Sequence, residues 1–379
     1  MDITFRPSLQ RTLGLELEIQ IVDPTSGSLL NIAPQLLSRL NPVNFKPEFF
    51  QSTIELNTDV TRSFSDLESN VYQKIDMLQE AGNQLGVAFM LSGTHPFEDW
   101  KRQQITDNPR YHQLLQRIQW PVRQFLIFGT HLHIGVRSAP TVMRLVRRLR
   151  VFIPHLLALS ANSPFWMGFD TGLASARMKI FEELPNAGLP YAFNTWEEYS
   201  RFVDASIRTG SIDSFRDIWW DIRPHPAYGT IEIRICDAMS SIPEILSVMA
   251  FALALTIYLE QPEATTPLDT IPDWIIAQNK WRATRYGMEA QLIEPTTMEV
   301  VPIKQSIQKW VKKVYPIADK YRFARHLEFL LEMMSFGPGY YRQRQWLKKH
   351  DNDYVAVVQH LITEFEQAQP ITSTSLDVG

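Results

Sequence analysis

The segment 12–23 alternates strictly between apolar and polar residues. This two-residue period is typical of a β-strand that buries one face, because successive side chains of a strand point to opposite sides. The buried side would carry Leu13, Leu15, Leu17, Ile19 and Ile21, and the other side would carry Gly14, Glu16, Glu18 and Gln20. Two glutamates on one strand face restrict the possible folds, because glutamate is seldom buried without a partner.

Three further segments have the same period and lie far apart in the chain, at 54–57, 131–136 and 230–236. The strands of a parallel, doubly wound sheet read as continuous apolar runs, whereas these segments alternate. The sequence therefore predicts an α+β fold in which an antiparallel or mixed sheet has its aliphatic face covered by helices.

Helical periodicity fills the intervals between these strands. We expect helices at 65–82, at 141–161 with a kink near Pro154, and at 304–334 with an interruption near Pro316. The S-x-x-E pattern predicts capping boxes at Ser65/Glu68 and at Ser241/Glu244. The apolar run 245–259 falls short of the ~20 residues that span a bilayer, so we interpret it as a buried core helix.

The composition excludes several classes of protein. With 379 residues, 45% hydrophobic residues and a net charge of −4, the chain has the composition of a globular protein rather than of a nucleic-acid binder. Its one cysteine, Cys236, excludes an intramolecular disulfide and a CxxC metal clip. No targeting segment precedes the first strand, which predicts a cytoplasmic protein without a membrane partner.

We see no internal repeat and no linker, which predicts one catalytic domain over 1–370 and a flexible tail over 371–379. A homodimer is the default expectation for its assembly.

The polar side of the predicted strands is the candidate site. Placed in one sheet, the four strands present Glu16, Glu18, Glu55, His131, His133, Glu232 and Arg234 on the face opposite the aliphatic residues, with no lysine among them. Carboxylates that lie close together must bind either protons or cations, and divalent metal ions are the usual partners of oxygen ligands. The pattern therefore predicts a metal site on this face.

Each motif has an ordinary structural interpretation when it is taken alone. GLELEI is typical of an exposed strand, HLH of a hydrogen-bonded histidine pair, and EIR of a surface ion pair. The combination of all three is what favours a functional site. The sequence has no Walker or Rossmann glycine loop, so a bound nucleotide would need metal ions and arginines to hold its phosphates. The candidate arginines are Arg177, Arg223, Arg234, Arg282 and Arg285.

Several long blocks resemble the glutamate–cysteine ligase type 2 family, and within it the YbdK-type carboxylate–amine ligases. These blocks are TLGLELEIQIVD at 12–23, STIELNTDV at 52–60, GTHLHIGV at 129–136, LLALSANSPFWMGFDTGLASARM at 156–178, IWWDIRPHPAYGTIEIRICDA at 218–238, NKWRATRYG at 279–287 and the RQR at 342–344. The resemblance implies a glutamine-synthetase-like fold whose antiparallel sheet forms a funnel for ATP, Mg²⁺ or Mn²⁺, and an acidic substrate.

The resemblance also implies roles for individual residues. The implied metal ligands are Glu16, Glu18, Glu48, Glu55, His131 and Glu232. Arg234 would steady the γ-phosphate of ATP, and Arg223 would act beside it as a second catalytic residue. The implied substrate and ATP contacts are His133, Arg177, Asp221, Arg282 and Arg285.

The sequence thus predicts an ATP-dependent ligase that joins a carboxylate, such as the γ-carboxylate of glutamate, to an amine such as cysteine through an acyl phosphate. Ala176 and the pair Tyr340–Tyr341 depart from the family pattern and leave the amine open. Two other interpretations remain. One is a metal-dependent hydrolase that uses HLH with Glu16 or Glu18, and the other is a metal- or nucleotide-binding protein without turnover.

Overall fold

A computed structural model describes residues 3–261 and 267–371. The main sheet contains the strands β1 (Leu13–Val22), β2 (Phe45–Pro47), β3 (Thr53–Asn57), β4 (Ala88–Met90), β5 (Thr130–Gly135), β10 (Ile222–His225) and β11 (Thr230–Ile233). Three small two-stranded pairs are formed by β6 (Phe165–Trp166) with β7 (Phe169–Asp170), β8 (Ala187–Gly188) with β9 (Trp219–Trp220), and β12 (Gln291–Ile293) with β13 (Val300–Pro302). The predicted tail lies outside the described residues from position 372 onward.

The described helices surround these strands. They are α1 (Ala33–Leu37), α2 (Phe64–Asn83), α3 (Pro109–Ile118), α4 (Trp120–Arg123), α5 (Ala139–Leu149), α6 (Ile153–Ser160), α7 (Ala176–Phe181), α8 (Trp196–Arg208), α9 (Ile242–Glu260), α10 (Asp273–Tyr286), α11 (Ile303–Lys320), α12 (Ala324–Phe336), α13 (Gly339–Lys349) and α14 (Tyr354–Glu366). Short 3₁₀ turns connect some of them.

The main sheet has the strand order β10-β11-β5-β1-β3-β2, and β4 pairs with the far end of β1. Every neighbouring pair in it is antiparallel. The longest strand, β1, therefore lies at the centre, between β5 and β3, and it is the element to which the others align. This arrangement confirms the predicted α+β fold with an antiparallel sheet.

One face of the sheet is the floor of the hydrophobic core. Leu17, Ile19 and Ile21 of β1 are fully buried, as are Leu132 and Ile134 of β5. The helices α2, α5 and α9 contact strands of this sheet and cover the aliphatic residues. Because side chains alternate along a strand, burial of this set leaves the glutamates and histidines on the opposite face.

The helix α9 is the central helix of the core. It is 19 residues long and apolar enough to cross a membrane, but 89% of its apolar 18-residue stretch is buried inside the protein. The expected core helix is therefore confirmed. The capping box predicted at its start is wrong: the hydroxyl of Ser241 donates to the carboxylate of Glu244, 2.8 Å away, and caps no backbone N–H.

Three details of the other helices differ from the sequence prediction. The first residue before α2 is Ser63, whose hydroxyl accepts from the N–H of Asp66, so the cap predicted at Ser65 is wrong. A 3₁₀ turn at Arg150–Phe152 separates α5 from α6, which begins just before Pro154. Pro316 lies inside α11, and the interruption falls after Lys320 instead.

The buried apolar side chains form one main cluster that includes Phe5 near one end of the described chain and Phe365 near the other. The single domain expected over 1–370 stays a prediction.

Candidate active site

The polar face, meaning the side of the main sheet opposite α2, α5 and α9, carries its functional groups in rows across the strands. In one row, Glu16 of β1 lies opposite His131 of β5 and opposite Asn57 of β3. In the next row, His133 lies opposite Glu232 of β11, which in turn lies opposite Arg223 of β10. In the row on the other side, Glu18 lies opposite Glu55, and Glu55 lies opposite Lys46 of β2.

Three side chains converge at the centre of this face. Glu16, His131 and Glu232 each offer one ligand atom, and these atoms all lie within 4.8 Å of one another. The Oε2 atom of Glu16 is 3.1 Å from Nδ1 of His131, and its Oε1 atom is 3.2 Å from Nε2 of His133. The other ring nitrogen of His131, Nε2, is buried without a hydrogen-bond partner and lies 3.8 Å from Oε1 of Glu18.

Charge pairing keeps the central carboxylates ionised. Burial alone would raise the pKa of Glu16, but the neighbouring His133 and His131 lower it well below its ordinary range. Burial would likewise raise the pKa of Glu232, and the guanidinium groups of Arg223 and Arg234 outweigh this and hold it low. The central cluster is therefore a set of anionic oxygens beside imidazole nitrogens, which suits a divalent cation.

Two arginines donate hydrogen bonds to the carboxylate of Glu232. Arg223 donates from Nε to Oε2 of Glu232 at 2.7 Å and from a terminal nitrogen to Oε1 at 3.1 Å. Its remaining nitrogen donates to the carbonyls of Arg216 and Ile218, so each of its three nitrogens has a protein partner. Arg234 donates to Glu232 and lies 3.5 Å from Nδ1 of His131, but its Nε is buried without a partner.

A second carboxylate group lies on the other side of β1. Burial, followed by the charge of Glu16, raises the pKa of Glu55 to about 7. Burial and the charges of Glu55 and Glu18 raise the pKa of Glu48 well above its ordinary range. Glu18 accepts a hydrogen bond from the backbone N–H of Gly129. These acids compete for protons, and a cation among them would relieve their repulsion.

Two residues of the site were not predicted from the sequence. The ammonium nitrogen of Lys46 lies 3.9 Å from Oε1 of Glu55, so β2, a strand that the sequence did not predict, adds a lysine to this face. The amide of Asn57 donates to the same oxygen at 2.6 Å. Lys46 lies only two residues before Glu48 in the chain, and this spacing was the available signal.

Arg177 and Asp221 make their contacts beside the central cluster rather than in it. Arg177 is 2% exposed and donates to the carbonyls of Ile235 and Arg234, the residues that follow β11. Asp221 is fully buried and accepts two hydrogen bonds from the ammonium group of Lys280, at 2.6 and 2.8 Å. Both residues therefore support the backbone that carries Arg234, whose N–H donates to the carbonyl of Asp221.

The remaining predicted arginines, Arg282 and Arg285, donate to backbone carbonyl oxygens outside the central cluster. Arg282 donates to the carbonyl of Gln291 at 2.8 Å, and Arg285 donates to the carbonyl of Gly172. In the RQR segment, Arg342 is buried between Glu244 and Glu364. The structure thus brings together the acids, the two histidines, Arg223 and Arg234, but not these other arginines.

The donor set fits a divalent cation and phosphate oxygens. It offers carboxylate oxygens and the buried Nε2 atom of His131, which has no hydrogen-bond partner, and these are ligands that Mg²⁺ or Mn²⁺ accepts. Arg234 adds an unpaired guanidinium N–H directly beside them. An arrangement of cations and arginine on one rigid sheet face is what phosphoryl transfer requires when no glycine loop is present.

The family to which this chain is matched agrees with the ligand set found at the site. The family model described as glutamate–cysteine ligase family 2 matches residues 12–360. The chain belongs to this family. As a glutamate–cysteine ligase family 2 protein, it is an enzyme of the ligase class that forms a C–N bond.

Sequence similarity to named relatives extends over almost the whole chain. A candidate glutamate–cysteine ligase 2-1 of Frankia alni is 38% identical over 98% of this chain and 100% of its own length. A candidate glutamate–cysteine ligase 2 of Gloeobacter violaceus is 38% identical over 95% of this chain and 98% of its own length. These matches confirm the resemblance that the sequence motifs indicated.

The fold of the family 2 chain is also found in a solved structure. The crystal structure of glutamate–cysteine ligase from Francisella tularensis has a TM-score of 0.71 with this chain, covering 96% of it and 89% of that protein. The sequence identity is only 12%, so this likeness shows the fold. The glutamine-synthetase-like architecture that the resemblance implied is confirmed.

Proposed function

We propose that this ligase uses ATP to join a carboxylate, with the γ-carboxylate of glutamate as the first candidate, to an amine such as cysteine. The observation that carries the proposal is the central cluster of Glu16, His131 and Glu232 with Arg234 beside it. The names of the relatives support the substrates, and the Francisella tularensis ligase of the same fold was solved in complex with AMP.

The acids of the polar face would hold the metal ions. Glu16, His131 and Glu232 would bind one Mg²⁺ or Mn²⁺, and Glu18, Glu48 and Glu55 would bind a second on the other side of β1. Bound cations of this kind neutralise the negative charge of the phosphates and of the transferring group.

The two arginines have different tasks in this proposal. Arg234 has an unpaired Nε beside the cluster, so it would donate to the γ-phosphoryl group as its charge spreads over the oxygens. Each of the three nitrogens of Arg223 already donates to Glu232 or to a backbone carbonyl, in four hydrogen bonds in all. We assign it to positioning Glu232 rather than to contact with the substrate, which revises the role implied by the resemblance.

The reaction proceeds in two steps without a protein nucleophile. An oxygen of the substrate carboxylate attacks the γ-phosphorus of ATP, the bond to the β-phosphate oxygen breaks, and ADP leaves. The amine then attacks the acyl carbon of the acyl phosphate, and orthophosphate leaves with the electron pair of the C–O bond. Cys236 cannot replace this chemistry, because it is fully buried and burial raises the pKa of its thiol to about 12.

Of the remaining predicted contacts, His133 would approach the phosphates, a role that its position beside Glu16 on the polar face supports. Arg177 and Asp221 would act indirectly through the backbone of Arg234, and Arg282 and Arg285 would need a rearrangement to reach a substrate. A ligase that depends on ATP and on an unmodified amino acid works in the cytosol, which is where we place this protein.

Interception of the acyl phosphate tests the proposal. With ATP, Mg²⁺, glutamate and hydroxylamine, the enzyme should form glutamyl hydroxamate and release ADP and orthophosphate in equal amounts. AMP and pyrophosphate should not appear. Other carboxylates in place of glutamate, each assayed with hydroxylamine, identify the natural acid if glutamate is inactive.

The same assay separates the alternatives. A metal-dependent hydrolase at HLH and Glu16 would cleave its substrate without consuming ATP, and a binding protein would release no ADP with any carboxylate. Pyrophosphate release, or hydroxamate formation without ATP, would overturn the proposed mechanism. A His131→Asn variant serves as the negative control, since it lacks a proposed metal ligand and should form no hydroxamate.

A further inference from the structure

The turn between β10 and β11 carries a stack of aromatic rings at one end of the polar face. The rings of His225 and Tyr228 are nearly parallel, with centroids 4.0 Å apart and an interplanar angle of 10°. Phe215 also contacts His225, with ring centroids 5.4 Å apart and an interplanar angle of 90°. His225 therefore packs against two aromatic rings, of which Tyr228 is the exposed one.

The stack lies directly beside the proposed phosphate site. His225 lies opposite Thr230, one row beyond the pair of Arg223 and Glu232. The ring of His133 lies 5.8 Å from that of His225 and 5.9 Å from that of Tyr228. Thr230 is four residues from Arg234 along the chain, which in a strand is roughly 13 Å at ~3.3 Å per residue. This span is comparable with the reach from terminal phosphate to base in an extended nucleoside triphosphate.

The backbone fixes the turn that presents the outer ring. The N–H of Tyr228 donates to Nδ1 of His225 at 3.3 Å, and the N–H of Gly229 donates to the carbonyl of His225 at 3.0 Å. Gly229 has a φ of 64°, and a Cβ there would lie 1.8 Å from the carbonyl oxygen of Arg6. Glycine is therefore required at this position, and the turn is held against the N-terminal segment.

Tyr228 is 57% exposed although one face of its ring is covered by His225. Tyrosine is intermediate in its tendency to be buried, and a ring with one face packed and the other open is suited to stacking with a planar ligand. Aromatic side chains bind nucleobases in this way irrespective of the base, because every base has a π-face.

The positions of the arginines on the polar face indicate which end of the nucleotide would reach the ring of Tyr228. Arg223 lies one row from His225 of the stack, and Arg234, just after β11, lies further along the same strand. A nucleotide whose terminal phosphate lies beside Arg234 would extend along β11 to reach Tyr228.

We propose that the open face of Tyr228, backed by His225, is the stacking platform for the base of the nucleotide. The assignment rests on the proposed use of ATP and adds to it the residues that hold the nucleoside end. It also predicts weak discrimination among bases, because stacking provides affinity without reading hydrogen-bonding groups.

The platform is tested by comparing the affinity for a ligand that contains a base with the affinity for one that lacks it. Isothermal titration would compare Mg²⁺–ADP with Mg²⁺–pyrophosphate on the wild-type protein and on Tyr228→Ala, Tyr228→Phe and Tyr321→Ala. Tyr228→Ala should weaken ADP binding by at least about tenfold, as expected for the loss of one stacked base, and leave pyrophosphate binding unchanged. Tyr228→Phe should retain wild-type affinity, since it keeps the ring.

Tyr321→Ala is the matched control, because Tyr321 is 51% exposed and lies at the end of α11. It should bind both ligands as the wild-type protein does. An unchanged affinity of Tyr228→Ala for ADP, or an equal loss for ADP and pyrophosphate, would overturn the platform while the proposed function stands. If the wild-type protein bound neither ligand, the proposed function would fall and the platform with it.

Discussion

Glu18 and Glu55 lie directly opposite each other on the antiparallel strands β1 and β3. Two like charges in such a pair destabilise a sheet. The neighbouring Glu16 and Glu48 add to the repulsion, which is reflected in the raised pKa values of Glu48 and Glu55, for which burial is the largest cause. An arrangement that costs stability in the free protein is expected where a bound cation compensates for it.

The first prediction follows from this pair. Glu55→Gln should leave the free energy of unfolding of the metal-free protein unchanged or raise it by up to about 1 kcal/mol, because it removes one of the opposed charges. The same variant should lose ligase activity and the rise in Tm that Mg²⁺ gives the wild-type protein. Thermal unfolding with and without Mg²⁺ measures both effects. Glu197→Gln, on the first turn of α8, is the control, and normal activity of Glu55→Gln would exclude Glu55 as a ligand.

The second prediction concerns the planar guanidinium of Arg234. Arg234→Lys keeps the positive charge but loses the fork that contacts Glu232 and the proposed phosphoryl group. We expect kcat to fall about 100-fold or more, as for the loss of one donor to a developing charge. Steady-state kinetics against the exposed Arg39→Lys variant measures this. A near-normal kcat would show that another cation serves the transferring group.

The third prediction separates the two arginines of the RQR segment. Arg342 is buried and donates to Glu244 and Glu364, so Arg342→Met would leave two buried carboxylates without their counterion. We expect a loss of about 3–5 kcal/mol in the free energy of unfolding. Arg344→Met removes a partly exposed pair with Asp170 and a hydrogen bond to the carbonyl of Leu173, and it should cost about 1 kcal/mol. Urea unfolding of both variants tests the contrast, and equal losses would contradict it.

The fourth prediction is a pH dependence of stability that arises at Glu364. Burial would raise its pKa, but Arg342 and His360 outweigh burial and lower it strongly. The unfolded chain therefore binds a proton at Glu364 more readily than the folded chain does, so this contribution is complete above the unfolded pKa of about 4.3 and is lost as the pH falls below it.

Unfolding free energies between pH 3 and pH 7 measure the effect, with Glu364→Gln as the comparison. The wild-type protein should lose stability on acidification more steeply than the variant does. Parallel curves would show that Glu364 has the same pKa in the folded and the unfolded chain.

Much of the sheet was predictable because its signal is local. The alternation in β1 identified which residues are buried and which lie on the polar face, and Glu16, Glu18, His131, His133 and Glu232 were placed there correctly. Helix ends were less predictable. Ser63 and Ser65 are chemically equivalent caps, and only the backbone conformation selects Ser63.

The residues around each arginine in the sequence did not reveal its role. Arg177, Arg234 and Arg342 are the same residue type, yet one donates to backbone carbonyls, one borders the acidic cluster and one neutralises two buried acids. The partner Glu244 lies 98 residues away from Arg342 in the chain. A side chain that pairs over such a distance cannot be assigned before the helices are packed.

The sequence alone determined the chemistry that is present: a strand face of acids and histidines, no glycine loop for phosphates, and no reactive cysteine motif. The tertiary structure decided which of these groups meet. It aligned Glu16 with His131 across β1 and β5, and it placed Lys46 beside Glu55 through β2. The physical reason is that periodicity along a strand specifies the face of each side chain, whereas strand order and register, which the packing of the whole core establishes, specify its neighbours.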